Sequence, residues 1–154
     1  MLIERYLKGS RLIDIKRSLN IISLQFKVAD DVYCLHCSNL VRFLREDRII
    51  ASSNDIYICA SDQGDENWDW SEHKNESVYD CIVSESVLPL LPDKVSNIIV
   101  TPWNDIEITF ESGLLIEVVV TSVSGNEEWR FFKQGDSENN TLVVYGDGFE
   151  RIGF

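Results

Sequence analysis

The sequence predicts a mainly β fold with minor α: two similar antiparallel β-meanders packed as a sandwich or partly open barrel, with one short helix. Three observations carry this. Apolar residues alternate with polar ones over several short runs, the period of a half-buried strand. Clusters of Gly, Asp, Asn and Ser separate those runs, as turns require. The two ends of the chain also repeat the same order of elements.

The elements follow in order. Ile22, Leu24 and Phe26 alternate with Ser23, Gln25 and Lys27, which predicts a strand from Ile21 to Val28. Asp30-Asp31 makes a turn, and Val32 to Cys37 returns to complete a hairpin. Leu40 to Leu44, Arg48 to Ala51 and Asp55 to Cys59 read as shorter strands, with Ser52-Ser53-Asn54 as the turn between the last two. Residues 60–76 break the pattern. Seven acids fall between Asp62 and Asp80, against the single Lys74, with Trp68 and Trp70 among them; this reads as a long loop. A short helix fits part of Val78 to Leu91 and stops before Pro92. Val95 to Val100 is a strand. Ile106, Ile108 and Phe110 begin a hairpin that turns at Glu111-Ser112-Gly113 and returns over Leu114 to Thr121. Trp129 to Lys133 and Leu142 to Tyr145 follow, and Gly146-Asp147-Gly148 ends the last strand.

The repetition is specific. Asn20, Leu24 and Phe26 match Asn104, Ile108 and Phe110 at an offset of 84, and Val41-Arg42-Phe43 matches Trp129-Arg130-Phe131 at an offset of 88. The 154 residues fit one domain. Its first meander spans about 11–59, the acidic loop and short helix 60–92, and the second meander about 94–149.

Charge narrows the partners. The net charge is −12, and it is unevenly spread. Residues 1–48 hold nine Lys/Arg and six Asp/Glu, whereas residues 49–154 hold five and twenty. Such an acidic surface repels nucleic-acid phosphates and anionic lipid heads and attracts a basic protein. Direct nucleic-acid and membrane binding are therefore not expected. Met1-Leu2-Ile3-Glu4-Arg5 puts charges where a signal peptide needs apolar residues, and no apolar run reaches the length of a membrane span. With four cysteines and no secretion signal, the expectation is reduced thiols in a cytoplasmic protein.

No catalytic constellation stands out. Cys34-Leu35-His36-Cys37 matches C-x-x-C, but in a strand period two puts Cys34 and His36 on one face and Cys37 on the other. The two sulfurs then cannot readily pair, and a zinc site lacks a second ligand pair. Asp65, Asn67, Asp69 and Glu76 fit positions one, three, five and twelve of a calcium loop, but Trp70 stands where the sharp turn requires Gly. No G-x-S-x-G, H-E-x-x-H or phosphate-cradling glycine loop is present. The expectation is a protein with no enzymatic activity, no cofactor and no metal.

The candidate partner-binding residues are Asp62, Asp65, Glu66, Trp68, Asp69, Trp70, Glu72 and Glu76. Aromatic anchors ringed by charge are what protein interfaces use. The two Trp rings either serve as such anchors or fold back over the sheet to close the core.

Asn20-Ile21-Ile22, Leu35-His36-Cys37, Arg42-Phe43, Ala51-Ser52-Ser53-Asn54-Asp55-Ile56-Tyr57, Trp68-Asp69-Trp70, Glu128-Trp129-Arg130-Phe131-Phe132 and Val143-Val144-Tyr145-Gly146 together form a pattern from about Leu12 to Phe149. It resembles a group of small acidic β-rich bacterial proteins, some of which are immunity proteins of toxin–immunity systems of the contact-dependent inhibition type. The resemblance implies a protein that neutralises a cognate toxin domain, such as a basic nuclease, by stoichiometric binding. The alternatives are a small-molecule or metal-binding domain with its site between the two halves, and an enzyme using paired carboxylates.

Overall fold

Eleven antiparallel strands form one open sheet in the computed structural model, which describes residues 2–61, 67–72 and 75–154. The strands are β1 (Arg11–Ser18), β2 (Ile21–Val28), β3 (Asp31–Cys37), β4 (Leu40–Arg45), β5 (Arg48–Ser52), β6 (Asp93–Val100), β7 (Ile106–Phe110), β8 (Leu115–Val119), β9 (Glu127–Lys133), β10 (Thr141–Tyr145) and β11 (Gly148–Ile152). Two short helices, α1 (Leu2–Leu7) and α2 (Val78–Ile82), precede β1 and β6. The mainly β expectation is met.

The duplication extends through the backbone register. In the first hairpin Leu12 faces Phe26 and Asp14 faces Gln25, so Ile13 is the extra residue of a β-bulge. In the second, Val95 faces Phe110 and Asn97 faces Thr109, so Ser96 is the extra residue. The bulge explains why the buried residues of β1, Leu12 and Ile15, lie three apart, as do Val95 and Ile98 of β6. On the next strands Ile22, Leu24 and Phe26 are buried like Ile106, Ile108 and Phe110.

The order across the sheet is β11-β10-β9-β3-β2-β1-β6-β7-β8-β4-β5. Each three-stranded meander therefore sends its next strand to the other half. β4 pairs with β8, and β9 pairs with β3. The halves join where β1 meets β6, through the pairs Arg11↔Lys94 and Leu12↔Asp93 and the backbone bonds of Val95 with Gly9 and Ser10. Their apolar faces nevertheless form one core, which includes Leu35, Phe43, Ile116, Trp129 and Phe131. Burying each such side chain contributes about 1.5–3 kcal/mol.

Glu128 fastens the exchange. Its carboxylate, 1% exposed, accepts from Asn39 Nδ2 at 2.6 Å, the Thr121 N–H at 2.9 Å and Ser122 Oγ at 2.6 Å. Those donors lie on the β3–β4 and β8–β9 connections, so one buried acid ties both crossing segments. The Trp129 indole N–H donates to Asn104 O at 2.9 Å and ties β9 to the β6–β7 turn.

Three local expectations need correction. Gly146-Asp147-Gly148 does not end the last strand: the chain turns there and β11 returns along β10, with Tyr145 facing Gly148. Asp55 to Cys59 is not a strand: Ser53–Tyr57 forms a 3₁₀ turn. Ser52 Oγ accepts from the Asn54 N–H, and Asp55 accepts from the Ser52 N–H, a reciprocal cap that favours a helical start. The expected short helix is α2, but it continues into a π-helical turn over Val83–Val87 and a 3₁₀ turn over Leu88–Leu90. No described helix is long and apolar enough to cross a membrane.

Candidate functional site

The acidic loop starts from a closed base. The Ala60 N–H donates to Glu76 O at 2.9 Å and the Val78 N–H to Ile58 O at 2.8 Å, with Cys59 and Ser77 bridged between them. Ser77 then caps α2: its Oγ accepts from the Asp80 N–H, and Asp80 accepts from the Ser77 backbone.

Asp80 also anchors this end to β1. Arg17 Nε and Nη2 donate to its two oxygens at 2.8 and 2.5 Å, and Nη1 donates to Leu19 O at 2.7 Å. Both side chains are about nine-tenths buried. Burial alone would raise the Asp80 pKa, but the bonds from Arg17 and Ser77 more than offset it and hold the carboxyl below its usual range. One of the seven acids is thus consumed in holding the fold.

The other sequence-predicted residues fall into three groups. Asp62, Asp65 and Glu66 lie outside the described residues. Asp69, Glu72 and Glu76 are exposed. Asp69 Oδ1 accepts from the Ser71 N–H at 2.8 Å and Ser71 Oγ at 2.6 Å, forming a compact turn. Trp68 and Trp70 are both half-buried. Trp70 packs against the core and meets the Tyr57 ring edge-to-face at 4.9 Å. The loop's Trp residues are therefore partly folded back rather than freely displayed.

Sequence reasoning missed the apolar part of this surface. Tyr57, beside Trp70, is 47% exposed, and Ile58, at the base of the loop, is 52% exposed. The misread strand over Asp55 to Cys59 hid them, because alternation would have buried one of the two. The Ser-x-x-Asp spacing from Ser52 to Asp55 is the signal that could have revealed the turn.

Next to the loop is a cleft of about 500 Å³ whose walls include Arg17, Leu19, Ser71, Asn75, Tyr79 and Leu88. Tyr79 is 2% exposed, and its hydroxyl has no hydrogen-bond partner among the described residues. A second groove, of about 900 Å³, carries the exposed Trp103, Val123 and Phe149.

The strand cysteines behave as packing residues. Cys37 faces the core with Leu35 and is fully buried, whereas Cys34 shares the other face with His36. Burial pushes both thiols up, away from the reactive thiolate. Burial, followed by the Arg130 charge, lowers the His36 pKa, and its ring meets Phe132 edge-on at 4.7 Å. No group of three potential metal ligands occurs among the described residues.

No family model, curated protein or solved structure matches this chain.

Proposed function

We propose that this protein is a protein-binding module of immunity type, which neutralises a basic toxin domain by stoichiometric binding. The observation that carries the reading is the pairing of exposed Tyr57 and Ile58 with exposed Asp69, Glu72 and Glu76 around one closed loop. An apolar centre with a charged rim is the composition of a specific interface. A nuclease cleft must hold phosphate and is basic, so carboxylates at the rim speed the encounter.

The test is a pull-down with the tagged protein at low and high salt, followed by calorimetry on the captured partner. The expected result is a one-to-one complex with a basic protein that loses toxicity on binding. Tyr57→Ala should weaken it strongly, and Asp69→Ala with Glu72→Ala should reduce its salt dependence. A partner whose affinity ignores all three substitutions would reject this face.

A second reading rests on the cleft beside Tyr79. A cleft walled by apolar side chains such as Leu19 and Leu88 and by polar ones such as Arg17, Ser71 and Asn75 suits a small polar ligand. Thermal stabilisation by a metabolite set, lost in Tyr79→Phe, would favour it over the protein interface.

A further inference from the structure

Across the middle of the sheet, three strands place three cations abreast. Lys27 on β2 faces Arg11 on β1, and Arg11 faces Lys94 on β6. Directly opposed residues share a face, and like charges there repel.

The duplication supplies an internal control. Lys27 follows Phe26, which faces Leu12; Glu111 follows Phe110, which faces Val95. Glu111 therefore stands in the second repeat where Lys27 stands in the first. Glu111 Oε1 pairs with Lys94 Nζ at 3.1 Å, and its N–H donates to Lys94 O. The second repeat thus neutralises its cation with a carboxylate. The first repeat puts a lysine in that place and leaves Arg11 between two cations, of which Lys94 is paired with Glu111.

The region around Arg11 adds more positive charge. Arg5 and Lys8, from α1 and the turn after it, join Arg11 and Lys27 in a pocket of about 430 Å³ that also includes Ser10 and Gly9. Arg5, Lys8 and Arg11 are exposed, and no Asp or Glu lies among the lining residues. Glu4, the acid of α1, accepts from the Val100 N–H. Lys27 Nζ donates to Asp30 O at 2.5 Å, which ties the ammonium to the β2–β3 turn. In a chain of net charge −12, four cations line one pocket that has no acid among its described lining residues.

We infer that the pocket formed by Arg5, Lys8, Arg11 and Lys27 binds a soluble polyphosphate group, the end of a small molecule bearing two or more linked phosphates. Two guanidinium groups supply planar forks for phosphate oxygens, and two ammonium groups supply point charge. The bound anion takes the place that Glu111 fills in the other repeat.

The test titrates inorganic tripolyphosphate, and separately orthophosphate, into the full chain by calorimetry and thermal shift at physiological salt. The expected result is one site for tripolyphosphate, tighter than for orthophosphate, with amide shifts confined to residues 5–11 and 27–29. Lys27→Glu copies Glu111. It should weaken tripolyphosphate binding by about tenfold or more while keeping or raising Tm, since it replaces a repulsion with an ion pair. Arg11→Gln provides the same binding readout if Lys27→Glu does not fold. No saturable binding to the native chain would overturn the inference. So would unchanged affinity in the variants, or capture by vesicles of anionic lipid without any response to soluble tripolyphosphate.

Discussion

Phe43 and Phe131 hold the same station in opposite halves of the sheet. Phe43 on β4 faces Ile116 of the second meander, and Phe131 on β9 faces Leu35 of the first. Both are fully buried. Each repeat completes the other half, so neither meander keeps its own fourth strand. Pulling the repeats apart would expose both rings and the unpaired edges of β3 and β8. The exchange therefore makes the halves interdependent for stability.

Glu128 links stability to pH at the crossing itself, since its carboxylate joins both crossing segments. Burial alone would raise its pKa, but donation by Ser122, Thr121 and Asn39 more than offsets that and lowers it. A carboxyl whose folded pKa is depressed contributes stability above its unfolded pKa, about 4.3, and loses it as pH falls through the folded value. Glu128→Gln keeps the shape and removes the charge; it should cost about 2–4 kcal/mol at neutral pH. Urea denaturation across the acid range checks both points: the variant's stability should fall less steeply below pH ~4.3 than the native chain's.

The Arg17–Asp80 pair should behave as a unit. Asp80→Ala removes the carboxylate that accepts from Ser77 in the α2 cap and leaves a guanidinium nine-tenths buried without its partner. Breaking one side of a buried pair costs about 3–5 kcal/mol. Asp80→Ala combined with Arg17→Met should be less damaging than Asp80→Ala alone. A double-mutant cycle by denaturant melts measures this; additive losses would mean the two side chains do not act together.

Gly146 provides a sharp packing test. A Cβ built there would lie 2.2 Å from Ser122 O, a backbone atom that cannot turn away. Gly146→Ala should destabilise by about 1–3 kcal/mol. Gly148, two residues on, has nothing within 4 Å of an added Cβ. Gly148→Ala should leave stability within about 0.5 kcal/mol. Parallel melts of the two variants separate a loop-packing constraint from a general need for flexibility in this turn.

The repeat was legible because apolar alternation in β2 and β7, and the apolar-Arg-Phe runs of β4 and β9, are local signals. The strand exchange was not, since local patterning does not say which neighbour a strand pairs with. β1 went unread because Arg11, Asp14, Lys16 and Arg17 fill half of its eight positions and the bulge at Ile13 breaks period two. α1 is only six residues long, too short for a clear helical period. At the candidate site the acids were evident from composition, but Tyr57 and Ile58 were not, because their exposure depends on the turn that Ser52 and Asp55 cap. The cationic row was hidden too, since Lys27, Arg11 and Lys94 are far apart in the chain and meet only through register.

The loop's acids and its aromatic residues should separate in stability measurements. Asp69, Glu72 and Glu76 are exposed. Glu72→Ala and Glu76→Ala should shift stability by less than about 0.5 kcal/mol, because exposed side chains lose little on truncation. Asp69→Ala should cost slightly more, since its carboxylate accepts from Ser71. Trp70→Ala should cost about 2–4 kcal/mol, because the ring lies against the core and Tyr57. Tyr57→Ala lies between these cases: its exposed ring loses the contact with Trp70 but little burial. Chemical melts of this series, run beside the partner titrations, distinguish binding residues from supporting ones. A Trp70→Ala chain as stable as the native one would show that the ring is free for a partner and that the loop does not close the core.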